Sequence, residues 1–234
     1  MNTRLCIFDL DGTILYTLES IAHAGNRMLR ELGRPEQPVD AYRYFCGDGS
    51  DILTERALTA AGGAAEEELR RGCVLNRKYI AEYASYHVRP YEGIPEALAA
   101  LKAAGETLAV FSNKPHEAAG PAVRNAFGDE VFSCIRGQKA GIPPKPAPDG
   151  ALDIARRFGV RPEDCLYFGD SRTDMRTGKA AGMHTVGVLW GYRDAKELLD
   201  NGADELIGTP EKLVTAAARF RAGRCEEEKK GAVR

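Results

Sequence analysis

The sequence predicts an α/β fold, with a Rossmann-like parallel sheet core flanked by helices and an all-helical domain inserted near its start. Three observations predict it. Short apolar runs without polar alternation recur along the chain, and such runs suit strands covered on both faces. Helical stretches separate those runs, as right-handed crossovers between parallel strands require. One stretch of roughly seventy residues is helical in character throughout, far more than a crossover needs.

The first apolar run, RLCIFD, ends at Asp9. From about Leu15 to Tyr86 no strand is predicted. Leu15, Leu18, Ile21, Gly25, Met28 and Leu32 repeat at three- and four-residue intervals and give one apolar helix face. Two more helices are predicted near residues 50–61 and 65–84, split by Ala61-Gly62-Gly63. Hinges are expected near Ile14–Tyr16 and Val88–Gly93. Beyond them TLAVFS, VFSCI, DCLYFGD and HTVGVL predict further strands. Helices are predicted at about 93–105, 115–127, 148–159, 173–182 and 210–222, and Gly105, Gly159 and Gly182 stand where C-terminal cap glycines belong. The expected division is an α/β core from residues 1–14 and 90–222, a helical cap at 15–89, and a flexible polar tail at 223–234.

Bulk properties exclude several classes. Apolar residues are 44% and charged residues 28%, as in globular proteins, and the formal charge of −2 shows no basic excess for nucleic acid. The apolar run Leu5 to Phe8 is too short for a signal peptide or a membrane span. Six cysteines lie far apart without a C-x-x-C pair, and the four histidines have no short metal-ligand spacing. A cytoplasmic protein with reduced cysteines is expected, with neither nucleic acid nor membrane as partner.

The chemistry starts at Phe8-Asp9-Leu10-Asp11-Gly12-Thr13. A buried parallel strand that ends in two carboxylates needs something to neutralise them, and open α/β sheets bind ligands at the carboxyl ends of their strands. The strand before Ser112-Asn113-Lys114 presents a hydroxyl and backbone amides at the same edge. Lys145 stands among Pro143, Pro144, Pro146 and Pro148, which stiffen its loop and prepare helix entry. Asp170 ends DCLYFGD, and Asp174 falls in the first turn of the following helix, facing the same way. Taken singly, each of these reads as an ordinary turn or cap. Together they set clustered acids, a hydroxyl and a lysine on one sheet edge. Hard oxygen ligands favour Mg²⁺, and Lys145 is left as positive charge for a phosphate dianion.

In this combination FDLDGT, SNK, KP followed by P-D, and GDSRTD resemble the haloacid dehalogenase-like superfamily, most closely its phosphoglycolate phosphatase branch. The likeness runs to about residue 215, and Gly47-Asp48-Gly49 is similar to a glycine-bearing cap segment of that branch. The resemblance implies hydrolysis of a small phosphorylated metabolite, phosphoglycolate favoured, through an aspartyl-phosphate. Asp9 would be nucleophile and Mg²⁺ ligand, and Asp11 the general acid and base, with its carbonyl on the metal. Ser112 and the Asn113 amide would hold the phosphoryl group and Lys145 neutralise it. Asp170 would ligate the metal, Asp174 would act behind it, Thr13 would orient the turn, and Gly49 would meet the substrate. Neighbouring negative charge would raise the affinity of Asp11 for its proton. One departure stands at the mouth between core and cap, where Tyr16-Thr17 replaces the Asp-Ser pair usual in the branch. A sugar-phosphate mutase or a pyrophosphatase of the superfamily is the nearest rival, and a non-catalytic phosphate-metabolite-binding module is a rival of another class. Arg43, Lys78 and Arg89 could each meet a substrate carboxylate, and surface charge explains them as well.

Overall fold

The computed structural model describes residues 4–231. In chain order it holds β1 (Arg4–Phe8), β2 (Leu15–Tyr16), α1 (Leu18–Glu31), α2 (Tyr42–Phe45), α3 (Ser50–Ala60), α4 (Glu66–Glu82), β3 (Arg89–Pro90), α5 (Ile94–Ala103) and β4 (Glu106–Pro115). There follow α6 (His116–Phe127), β5 (Cys134–Gln138), α7 (Asp149–Arg157), β6 (Cys165–Gly169), α8 (Arg172–Ala180), β7 (His184–Val188), α9 (Ala195–Asp200), β8 (Glu205–Ile207) and α10 (Lys212–Gly231). Six strands form one parallel sheet in the order β5-β4-β1-β6-β7-β8, the architecture that the apolar runs predict.

Strand β1 explains why those runs do not alternate. Leu5 and Ile7 pack on one face of the sheet with Phe111, Tyr167 and Ile154. Cys6 and Phe8 pack on the other with Val110, Phe168 and Leu213. With helices on both sides, successive side chains point in opposite directions and both are buried.

Helices α1–α4 enclose an apolar cluster of their own, including Leu18, Ile21, Met28, Leu53, Tyr79 and Ile80, which touches the α/β part through Ala118 and Tyr192. Gly25 of α1 lets this packing close, because a Cβ there would lie 2.4 Å from the Tyr42 ring. The insert is joined to the sheet at β2 and β3, which pair antiparallel, Leu15 with Pro90 and Tyr16 with Arg89.

Four expectations need correction. The β2–β3 pair lies at the predicted hinges, where no strand was expected, because two-residue strands carry no periodicity. The VFSCI strand begins only at Cys134, since Phe132 turns into the core against Phe8 and Phe127. As an edge strand, β5 then accepts the polar Arg136 and Gln138. Strand β8 was missed because only Ile207 of its three residues is buried. Helix α10 continues to Gly231 through most of the expected tail, where glutamates and lysines are good helix formers; residues 232–234 of that tail lie outside the described residues. Among the described residues no helix is long and apolar enough to cross a membrane.

Candidate active site

The parallel register fixes which side chains share the carboxyl edge of the sheet. Phe8 pairs with Val110 on one side and Phe168 on the other, and the Asp9 amide donates to the Phe168 carbonyl at 2.9 Å. Asp9, the end of β4 and Asp170 therefore leave the sheet side by side. Gly12 makes the turn after β1 with φ +89°, and a Cβ there would lie 2.3 Å from Asp170 Oδ2. The loop before α7 is tied to this edge by Asn113. Its Oδ1 accepts from the Lys145 amide at 2.8 Å, and its Nδ2 donates to the Lys145 carbonyl at 3.0 Å and to the Gly47 carbonyl of the insert at 3.1 Å.

Lys145 Nζ sits between two acids, 2.8 Å from Asp9 Oδ1 and 2.6 Å from Asp174 Oδ1. Asp174 is wholly buried. Its Oδ2 accepts from the Ser171 amide at 3.1 Å and the Ser171 hydroxyl at 2.5 Å, a capping box that starts α8. Asp170 accepts from the Thr13 hydroxyl at 2.9 Å and the Tyr192 amide at 2.8 Å. Burial, reinforced by the Asp174 charge, pushes Asp9 up to about 8 in spite of Lys145. Burial and Asp174 likewise push Asp170 up to about 7, against the donors from Tyr192 and Thr13. Burial alone would depress Lys145, but the carboxylates of Asp174 and Asp9 outweigh it and hold the ammonium well above the ordinary lysine range.

The donor set suits a hard divalent cation. Asp9, Asp170 and Asp174 each offer a carboxylate oxygen, mutually within 4.8 Å, and all three residues are buried. Asp9 Oδ1 is buried without a hydrogen bond, Lys145 lying close but out of line. A buried carboxylate left that way is costly unless another positive charge approaches. The carboxylate of Asp11 lies outside this trio. It meets Lys114 instead, with Nζ 3.1 Å from Oδ1 and 3.4 Å from Oδ2, so a cation stands where negative neighbours alone were expected.

Asp9, Asp11, Gly49, Ser112, Asn113, Lys145 and Asp170 line one pocket between sheet edge and insert. Thr13 and Asp174 lie buried behind it. Arg43, Lys78 and Arg89 do not line the pocket, which corrects the expectation for all three. Arg43 pairs with Asp40, Lys78 lies over the Tyr79 ring, and Arg89 lies over the Tyr16 ring. The wall facing the acids is formed by Ile21, Leu53 and Ile80 of the insert, with Lys114, Tyr192 and Arg193 from the α/β part. Only Lys114 among these had a usable signal, a lysine directly after the Ser-Asn of a strand end. At the departure noted above, Thr17 is buried and its hydroxyl lies 3.0 Å from the Tyr192 hydroxyl.

Comparison with known proteins agrees with this geometry. Residues 3–182 match the family model for haloacid dehalogenase-like hydrolases. A phosphoglycolate phosphatase from Pseudomonas putida is 33% identical over 197 residues, 83% of this chain and 72% of that protein. One from Nitrosospira multiformis is 32% identical over 206 residues, 87% of this chain and 91% of that one. A crystal structure of a Lactobacillus delbrueckii subsp. bulgaricus protein superposes with TM-score 0.86 at 31% identity, covering 93% of this chain and 99% of the other. CbbY from Rhodobacter sphaeroides, solved with phosphate, superposes with TM-score 0.76 at 25% identity, covering 90% and 96%.

Proposed function

The chain belongs to the haloacid dehalogenase-like hydrolases and is a phosphatase, and we propose that it hydrolyses a small phosphate monoester through an aspartyl-phosphate on Asp9, with phosphoglycolate as the favoured substrate. The observation that carries this reading is the convergence of Asp9, Asp170 and Asp174 on one point, with Lys145 bound to two of them. Relatives known as phosphoglycolate phosphatases support the substrate. Asp9, Asp170 and the Asp11 carbonyl would hold Mg²⁺, with Asp174 behind them, and the ion would offset negative charge on the phosphate oxygens.

The chain's own groups do the rest. Asp9 attacks phosphorus in line; a bond forms from its carboxylate oxygen to phosphorus while the ester P–O bond breaks. Asp11 gives a proton to the departing ester oxygen. In the second half Asp11 takes a proton from water, which attacks phosphorus, releases phosphate and restores Asp9. Lys145 keeps the nucleophile in place between itself and the sheet, and Ser112 with the Asn113 amide receives the phosphoryl oxygens. Helices α1–α4 act as a cap that swings on the β2–β3 pair, brings Gly49 to the substrate and excludes bulk water. The compartment we assign is the cytoplasm, in keeping with five free cysteines among the described residues.

The test is release of inorganic phosphate from phosphoglycolate with Mg²⁺ and with a chelator. Asp9→Asn is expected to abolish turnover and leave no acid-stable, hydroxylamine-sensitive acyl phosphate. Asp11→Asn is expected to slow turnover by about 10²–10⁴-fold, the range of general acid–base catalysis, with metal binding retained. Undiminished turnover by Asp9→Asn would overturn the mechanism.

A further inference from the structure

We propose that Lys114 is a specificity residue that binds a carboxylate carried on the carbon next to the substrate's ester oxygen. The inference rests on the phosphatase reading above and adds the group that selects the substrate.

The position follows from Asp11. A group that protonates the leaving oxygen must touch it, so whatever lies against Asp11 also lies against the first atoms of the leaving group. Lys114 Nζ reaches both Asp11 oxygens. In a substrate of the form phosphate–O–CH₂–COO⁻ the carboxylate carbon is two bonds from the ester oxygen, which brings it to the same place. An ammonium has three donors. The two contacts to Asp11 leave one for the substrate.

The other cations of the pocket are committed elsewhere. Lys145 bridges Asp9 and Asp174 on the phosphoryl side. Arg193 donates to the carbonyls of Arg43 and Cys46 and pairs with Glu197. The insert contributes Ile21, Leu53 and Ile80 together with the Gly47, Gly49 and Ser50 segment, and no lysine or arginine of α1–α4 lines the pocket. Among the three cations that line the pocket, Lys114 is therefore the one placed to meet an anionic leaving group. That side chain is 3% exposed, and a charge-assisted hydrogen bond out of water is among the stronger polar contacts.

The backbone fixes where Lys114 points. Its amide donates to the Ser112 hydroxyl at 3.2 Å. Strand β5 passes directly beneath, where a Cβ on Gly137 would lie 2.6 Å from the Lys114 carbonyl. The alternative is that Lys114 serves only as counter-charge to Asp11. In that case it would matter equally for every ester.

The discriminating pair is phosphoglycolate and ethyl phosphate, which share the CH₂–O–P group and differ in the carboxylate. The readout is the ratio of their kcat/KM values. The wild-type ratio is expected to favour phosphoglycolate by about 10–100-fold, the worth of a hydrogen bond to a charged group. Lys114→Met is expected to lower both rates and to collapse the ratio toward unity, mainly through KM for phosphoglycolate, while Lys114→Arg restores part of it. An equal loss on both esters, or an unchanged ratio in Lys114→Met, overturns the proposal. So does a wild-type enzyme indifferent between the esters, a measurement that needs no variant to fold. Fast hydrolysis of ethyl phosphate with poor use of phosphoglycolate rejects Lys114 as reader and leaves the phosphatase reading standing. Hydrolysis of neither ester removes that reading, and the proposal with it.

Discussion

The proton held by Asp9 should make metal-free protein lose stability as pH rises, and Asp9→Asn should remove much of that loss. In the folded chain burial and the Asp174 charge push Asp9 from the ordinary aspartate value of 3.8 to about 8. Between pH 5 and pH 7 the unfolded chain has released this proton and the folded chain keeps it. The native state then binds more protons, so the slope of unfolding free energy with pH is negative, about 1.4 kcal/mol per unit for one proton. Over two units that amounts to about 3 kcal/mol, or a fall of about 6–12 °C in Tm for a chain of this size. Asp170, pushed up to about 7 by burial and by Asp174, titrates with Asp9, and the slope belongs to the pair. His116 and His184, both lowered by burial, gain stability in the same window, but they are common to the two proteins and cancel in the difference. The assay is thermal unfolding of both proteins in chelator across this range, repeated with Mg²⁺. Because the cation displaces the proton, the rise in Tm on adding Mg²⁺ to wild type should grow with pH. A wild-type minus variant Tm difference constant to about 2 °C from pH 5 to pH 7 would refute the reasoning.

Three further substitutions test the framework around the site. Gly191→Ala would set a Cβ 2.2 Å from Asp170 Cβ and 2.5 Å from its Oδ2; displacing that acid should cost about 1–3 kcal/mol and raise the Mg²⁺ concentration for half-maximal activity. Gly208→Ala, with open space around its Cβ, should change neither. Arg221→Met should leave Glu106, whose side chain is 2% exposed, without bonds of 3.0 and 2.7 Å. The expected loss is about 3–5 kcal/mol in chemical denaturation, with kcat at 25 °C unchanged, because Glu106 pairs with Arg4 at the opposite end of β1 from Asp9.

What the sequence reveals here depends on how far apart the interacting residues are. Asp9 and Asp170 are legible because each directly follows a buried strand, and the edge they share is a property of parallel sheets. The apolar faces of α1 and the buried runs of β1, β4 and β6 are legible for the same local reason. Asn113 is different. Its side chain ties down the backbone of Lys145, thirty-two residues away, and nothing in Ser-Asn-Lys announces that partner. Nor does local pattern say that Ile21, Leu53 and Ile80 turn toward one pocket, since the same helical spacing serves a closed core equally well. Arg89 looked available for a substrate because its aromatic and acidic neighbours, Tyr16 and Glu19, lie some seventy residues away in the chain. The short strands β2, β3 and β8 fall below the length at which alternation or continuity can be read.

The weakest link between fold and chemistry is the register of β1 against β6. Burying Asp9, Asp170 and Asp174 together is unfavourable by itself, since even paired charges lose hydration on burial. The apolar faces on both sides of the sheet must offset that loss. They do so only in one alignment, because a one-residue slip would turn Asp9 toward the helices and Phe8 toward the ligand edge. Phe8 and Phe168 hold the alignment from the apolar side. They are register partners whose rings stack at 4.8 Å and 10°, and the Asp9 amide is hydrogen-bonded to the same Phe168. At this edge the four carboxylates of Asp9, Asp11, Asp170 and Asp174 face the two ammonium groups of Lys114 and Lys145. With all four ionised, the two negative charges left over are what one divalent cation would balance. The stacked phenylalanines and the acid cluster that could hold a metal are therefore consequences of the same pairing, one expressed in the core and the other at the edge.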